Sequence, residues 1–285
     1  MISDLFAAGK PTVSLEVFPP KKNEEFKAAY ETLDAMAALK PDFISITYGA
    51  GGSRAANTVE LSSYIQNRLH IDALAHITCV GCRRDDIRHI CDELSSSNIK
   101  HVLALRGDRP KDMTDEQFDS REFSHASDMV SYLRVNTELE IAGACYPEKH
   151  FEAPDMNTDI ENLQKKISAG VSFLITQLFF DNDVFYSFED TLRESGTSIP
   201  ICAGIMPVTS ARQLGTTVNL SGSSVPKKLS DVIAKYGDSA DDMRKAGIDF
   251  AINQILDLRE HGVHDIHIYS MNKPQMTAEI IKAIR

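Results

Sequence analysis

The chain has 285 residues, 42% hydrophobic and 25% charged, with a formal net charge of −11 at pH 7. Its length fits one large α/β barrel or two ordinary domains, and the acidic balance argues against nucleic acid as a partner while leaving room for a local cationic pocket. No apolar run approaches the roughly 18 to 20 residues of a membrane span, and the opening MISDLFAAGKP is too short and polar for a signal peptide, so a cytoplasmic protein with no membrane partner is expected.

Thr12 to Phe18 alternates, with Val13, Leu15 and Val17 on one face and Ser14, Glu16 and Phe18 on the other, until Pro19-Pro20 stops the strand. Glu24 to Leu39 has helical spacing, ended by Pro41. Phe43 to Thr47 predicts the second strand, Tyr48 to Gly52 a glycine-rich loop, and Asn57 to Leu69 a helix. Ala73 to Thr78 carries His76 into a helix from Asp85 to Ser95. The fourth unit is the most telling: the buried strand Val102 to Leu105 ends abruptly in Arg106-Gly107-Asp108, followed by a long polar loop and a helix near Ser124 to Arg134.

Ile141 to Ala144 leads to Tyr146-Pro-Glu148 and a helix from Asp159 to Ala169, and Phe173 to Gln177 precedes a helix from Asp183 to Glu194. Ile201 to Ile205 is followed by a long helical region to about His261, Asp265 to Ile268 predicts the eighth strand, and Pro274 opens the last helix. Eight strand-then-helix units fill the chain as one domain over residues 1–285, which predicts a single (β/α)₈ TIM barrel with no separate regulatory domain. A doubly wound sheet is the alternative, but G-x-G-x-x-G is absent after the first strand.

In such a barrel the chemistry collects at the C-terminal strand ends. Those ends carry Glu16, Thr47, His76, Arg106 with Asp108, Tyr146 and Gln177. Glu16 shares the Ser14 face, which points into the barrel if the valines and Leu15 face the helices. Partial desolvation there should raise its pKa and suit it to general-acid work; the alternative is a carboxylate neutralised by a cation such as Arg106. Asp108 can face ligand or simply cap its own bend. His76 reads as a hydrogen-bonding histidine, since no metal-ligand spacing accompanies it and no metal is expected. His264 and His267, three apart on an extended segment, point to opposite faces.

On the helix after Tyr146, Asp159, Asn162 and Lys166, with Lys165 beside them, repeat on a face separate from Ile160, Leu163 and Ile167. This face is either plain solvated surface or a wall for a ribose and pyrophosphate, with Thr158 and Glu161 set as a capping box. Five cysteines without a regular framework read as reduced thiols, and Cys79-Val-Gly-Cys82 lacks the second ligand pair of a zinc site.

Leu15-Glu-Val-Phe-Pro-Pro20, Thr47-Tyr-Gly-Ala50, Ala75-His-Ile-Thr-Cys79, Ala104-Leu-Arg-Gly-Asp108, Tyr146-Pro-Glu-x-His150 and Thr176-Gln-x-Phe-Phe-Asp181 occur in this order. Together they resemble the methylenetetrahydrofolate reductases, flavin-dependent TIM barrels of one-carbon metabolism that serve methionine biosynthesis. The resemblance runs from about Val13 to Lys273. It implies bound FAD, NADH or NADPH as donor, and reduction of 5,10-methylenetetrahydrofolate to 5-methyltetrahydrofolate in ping-pong fashion through reduced FAD.

By the same resemblance, Glu16 is the general acid that opens the folate five-membered ring to an iminium, and Asp108 the carboxylate beside the flavin. Thr47, Tyr48, Ala50, His76, Arg106, Gly107, Asp108, His125, Ala126, Tyr146, His150, Asp159, Asn162, Lys165 and Lys166 fall on FAD-contact positions. Glu16, Asp108, Gln177, Gln213 and Lys273 fall on positions that meet folate or nicotinamide. Two departures lie on the substrate side: the family's aromatic wall falls near Thr217, and Lys273 stands where some relatives carry arginine. Two alternatives remain open: an FAD subunit fed electrons by a redox partner protein, and a metal-assisted barrel hydrolase, which the absence of H-x-H disfavours. Self-association as a homo-oligomer is expected only by analogy with other barrels.

Overall fold

The computed structural model describes residues 1–20, 25–48 and 53–285, except for the side chains of 53–55 and 220. Its eight strands are β1 (Val13–Val17), β2 (Phe43–Ile46), β3 (Asp72–Thr78), β4 (His101–Leu105), β5 (Glu140–Cys145), β6 (Phe173–Thr176), β7 (Ile201–Ile205) and β8 (Ile266–Tyr269). They pair in parallel in chain order, and β8 closes on β1 with Glu16 opposite Tyr269. This is the expected (β/α)₈ barrel.

Period-two alternation explains the apolar layers on the two faces of the barrel sheet. Leu15, Val17, Ile44, Ile46 and their counterparts face the helices and form the larger apolar layer. Phe43, Leu74, Leu103, Ala142, Phe173, Ile175 and Cys202 fill the interior.

A short helix that the sequence reading did not anticipate, α1 (Ile2–Ala7), adds Ile2 to this interior, with Phe6 packed against it. Full burial of one such isoleucine is worth about 1.5–3 kcal/mol.

The surrounding helices are α2 (Phe26–Ala37), α3 (Ser53–Tyr64) continued by a π-helical turn (Ile65–Leu69), α4 (Arg84–Ser96), the short α5 (Asp115–Asp119) and α6 (Ala126–Asn136). They continue with α7 (Met156–Ser168), α8 (Asn182–Glu194), α9 (Ala211–Ser221), α10 (Lys227–Tyr236), α11 (Ala240–Glu260) and α12 (Pro274–Ile284). The long helical region after β7 is therefore three helices. Gly222, at φ 74°, ends α9, Pro226 caps α10, and Ser239 starts α11 by accepting a bond from Asp242 N. Helix α7 begins earlier than expected: its cap is Asp155, which accepts from Thr158 N at 2.8 Å, rather than Thr158 itself. No helix among the described residues is long and apolar enough to cross a membrane.

At the end of the barrel opposite the strand C-termini, Glu140 accepts from Ile2 N (2.8 Å), Ser3 N (3.1 Å) and the Ser3 hydroxyl. His101 places Nδ1 2.8 Å from Glu140 and Nε2 3.5 Å from Asp72. Burial pushes the His101 pKa down, but hydrogen bonds to the two carboxylates outweigh it and leave it raised. Despite their own burial, hydrogen bonds to His101 hold Glu140 and Asp72 below the usual carboxylate range.

A raised histidine stabilises fully below its unfolded value, about 6.5, and loses that contribution as pH rises through the folded value. The lowered carboxylates contribute above their unfolded values, about 4, and lose it as pH falls through their folded values. The cluster is therefore strongest in mildly acidic solution. Thermal melts of the wild type should show stability falling above about pH 6.5, and His101→Gln should flatten that fall. An unchanged alkaline slope in the variant would refute the assignment.

Candidate active site

The C-terminal strand ends open into a cleft of about 2180 Å³. Every polar strand end picked out from the sequence lines it: Glu16, Thr47, His76, Arg106 with Asp108, Tyr146 and Gln177. The last two strands add Met206, Tyr269 and Met271, which the sequence reading missed. Parallel strands with outward aliphatic residues leave the opposite parity for the interior, so each strand contributes one or two side chains to this mouth.

Glu16 is 7% exposed and sits between two buried imidazoles. Its Oε2 lies 3.7 Å from His76 Nε2 and 3.8 Å from His267 Nε2. Burial pushes His76 down to about 4, only partly opposed by Glu16, so it is neutral at pH 7. His267 is anchored through Nδ1, 2.7 Å from the Ser14 hydroxyl one turn of the pleat below Glu16. Neither Nε2 has a hydrogen-bond partner among the described residues, so both are aimed at Glu16 with capacity to spare. His264 is exposed while His267 is fully buried beside Glu16, so the two do not share a site.

Tyr269 closes the floor. Its hydroxyl donates to Thr176 O at 2.7 Å, its ring meets His267 edge-on at 5.4 Å, and burial drives its pKa well above the phenol norm. The ring leans over Gly204, where a Cβ would lie 2.5 Å from Thr176 O and 2.8 Å from Tyr269 Cε2. Just after β4, Gly107 at φ 84° makes the turn that separates Arg106 from Asp108, and a Cβ there would meet Val80 and Thr78 at 2.8 and 2.9 Å.

Arg106 does not neutralise Glu16. Its guanidinium forms a two-point ion pair with Glu152. Asp108 is exposed on the cleft wall, and its carboxylate accepts no hydrogen bond among the described residues, so it is not a bend cap.

A family profile described as methylenetetrahydrofolate reductase matches residues 1–285. The chain belongs to the methylenetetrahydrofolate reductase family. It is 31% identical over 272 residues to the 5,10-methylenetetrahydrofolate reductase of Escherichia coli K12, covering 95% of this chain and 90% of that protein. It is 32% identical to methylenetetrahydrofolate reductase (NADH) 1 of Arabidopsis thaliana, covering 95% of this chain but 48% of the plant protein. Among solved structures, a Clostridium thermocellum protein described as binding two copies of 5-methyl-5,6,7,8-tetrahydrofolic acid superposes with a TM-score of 0.69 at 17% identity. That pair covers 99% of this chain and 98% of the other, a likeness of fold. Family membership makes the chain an enzyme of methylenetetrahydrofolate-reductase-type folate reduction.

The remaining positions suggested by the family differ in where the fold puts them. Tyr48, Gly107, His150 and Gln213 line the cleft, and burial raises the Tyr48 and Tyr146 phenols to about 12. Asp159, Asn162, Lys165 and Lys166 do not line it; Asp159 and Lys166 brace residues that do, whereas Asn162 and Lys165 are exposed and bond each other along α7. Asp159 accepts from His150 N at 3.0 Å, Lys165 Nζ bonds Asn162 at 3.1 Å, and the half-buried Lys166 donates to Ala144 O at 2.6 Å.

His125 and Ala126 form the start of α6, with His125 N donating to Asp128 at 2.8 Å, away from the cleft lining. Ala50 lies outside the described residues. On the substrate side, Thr209 organises a small network. Gln213 Oε1 accepts from Thr209 N and Oγ1, both at 2.9 Å, and Lys273 Nζ donates to Thr209 Oγ1 at 3.0 Å. Thr217 lines the cleft beside Met206, with its hydroxyl 3.7 Å from the sulfur. The cysteines are free thiols, and burial raises Cys79 to about 12 and also raises Cys82, which keeps both protonated at neutral pH.

Proposed function

We propose that this cleft reduces 5,10-methylenetetrahydrofolate to 5-methyltetrahydrofolate with FAD as the resident cofactor and NADH or NADPH as donor. The observation that carries the reading is Glu16, a nearly buried carboxyl at a strand end that opens onto a cleft lined by Arg106 and the aromatic rings of Tyr48 and Tyr146. The residues present fit FAD. A cleft of about 2180 Å³ exceeds the roughly 300–1,000 Å³ of ordinary ligand pockets, and Arg106, Tyr48, Tyr146 and His150 offer charge and flat surface for a dinucleotide. Arg106 would face the pyrophosphate, and His76 and Asp108 would border the redox-active ring. FAD held there supplies reversible two-electron hydride acceptance and donation.

The chain's own residues supply the acid step. Glu16 gives its proton to the folate nitrogen that leaves the one-carbon unit, which opens the five-membered ring to an electrophilic iminium. Neutral His76 and the Ser14-anchored His267 flank the carboxyl beyond hydrogen-bond distance, and no Arg or Lys among the described residues pairs with it. Asp108 stabilises the cationic charge that develops in the folate. Gln177, Gln213 and Lys273 orient the two substrates, which occupy the same space in turn. Initial rates at several fixed NADH concentrations should therefore give parallel double-reciprocal lines against folate. Intersecting lines would mean that both substrates bind together.

A further inference from the structure

The most unexpected contact at the cleft is the one between Arg106 and Glu152. Both terminal nitrogens of the guanidinium donate to the carboxylate, Nη2 at 2.9 Å, and Nε bonds Gly107 O at 3.2 Å. The Arg106 side chain is 15% exposed and the Glu152 side chain 47%, so the carboxylate lies on the open side of the pair.

Glu152 is also held by its own backbone. Its N–H donates to His150 Nδ1 at 3.2 Å, Ala153 N bonds His150 O at 2.9 Å, and Lys149 Nζ bonds Ala153 O at 2.7 Å. Arg106 keeps the Glu152 carboxyl below its usual range, so it is charged throughout the neutral region. This is a built contact between a loop and a cleft residue.

A carboxylate and a phosphate engage the same two-donor edge of arginine. An anion that takes the Arg106 fork must therefore displace Glu152 or accept its negative charge at close range. We propose that Glu152 competes with the cofactor's pyrophosphate for Arg106 and so sets the affinity of the cleft for dinucleotides below what Arg106 alone would give. The proposal rests on the FAD reading above. It assigns a tuning role to a residue that neither the sequence motifs nor the cleft lining singled out.

The test is a flavin-fluorescence titration of flavin-stripped protein with FAD, for wild type, Glu152→Gln, Arg106→Gln and the double variant. Glu152→Gln should bind FAD roughly two- to fivefold tighter, in keeping with a partly exposed ion pair. The gain should grow as salt is lowered and vanish in the Arg106→Gln background. Unchanged or weaker binding by Glu152→Gln, in a wild type that does bind FAD, overturns this inference alone and would make Glu152 a support for Arg106. An equal gain without Arg106 also overturns it. Failure of the wild type to bind FAD overturns the flavin reading and this proposal together.

Discussion

Glu16→Gln is expected to lower folate turnover by about 10²–10⁴-fold while leaving FAD bound and reducible by NADH. The amide has the size of the carboxyl and can keep the contacts to His76 and His267, 3.7 and 3.8 Å away in the wild type. What it lacks is an acidic proton that it can give up. Only the half-reaction that opens the folate ring requires an acid at that point, so the two halves should separate cleanly in this variant. Rapid-mixing absorbance reads the first half-reaction, and product formation reads the second. Folate turnover within a few-fold of wild type would remove Glu16 from the chemistry and leave it a buried structural carboxylate.

The second large effect is on the fold. Gly247 lies in the middle of α11, where a Cβ would sit 1.7 Å from Val208 O and 2.7 Å from Val208 C. Backbone cannot yield as the end of a side chain can, so Gly247→Ala must push α11 away from the loop that follows β7. A cost of about 3 kcal/mol or more is expected, at the upper end of overpacking. The displaced loop carries Thr209, which holds both Gln213 and Lys273, so surviving protein should lose affinity for folate. The control is Gly215→Ala in α9, where nothing lies within 4 Å of the added carbon. That change should be neutral or stabilising by about 0.5–1 kcal/mol, because alanine suits a helix interior better than glycine. Equal melting temperatures for Gly247→Ala and wild type would refute the packing account.

The barrel was legible because its strands alternate so regularly. In β1 the valines and Leu15 announce the helix-facing side and leave Ser14 and Glu16 for the interior, as the structure has them. The polar strand ends were legible for the same reason. His267 was not recognised, although Ile266 and Ile268 mark the outward parity of β8 just as clearly. Its relation to Glu16 depends on β8 closing onto β1, a contact 251 residues apart in sequence (267 − 16) that no local pattern contains. Tyr269 lay one residue beyond the expected strand end for a similar reason, since pairing with Glu16 extends the strand.

Other misses have equally local causes. Helix α1 is too short to show a periodicity, and it is fixed by Glu140 rather than by its own propensity. Lys166 sits on the polar side of α7 in sequence, yet its long stem reaches inward to the end of β5, where burial lowers its pKa. Glu152 carried no motif at all; only the fold brings it to Arg106.

An absorbance spectrum of the purified protein, followed under anaerobic conditions by NADH and then by methylenetetrahydrofolate, decides whether the cleft runs flavin-mediated folate reduction. If it does, the flavin bands bleach with NADH and return on adding folate. A protein that shows no flavin bands and cannot be reconstituted with FAD would contradict that chemistry.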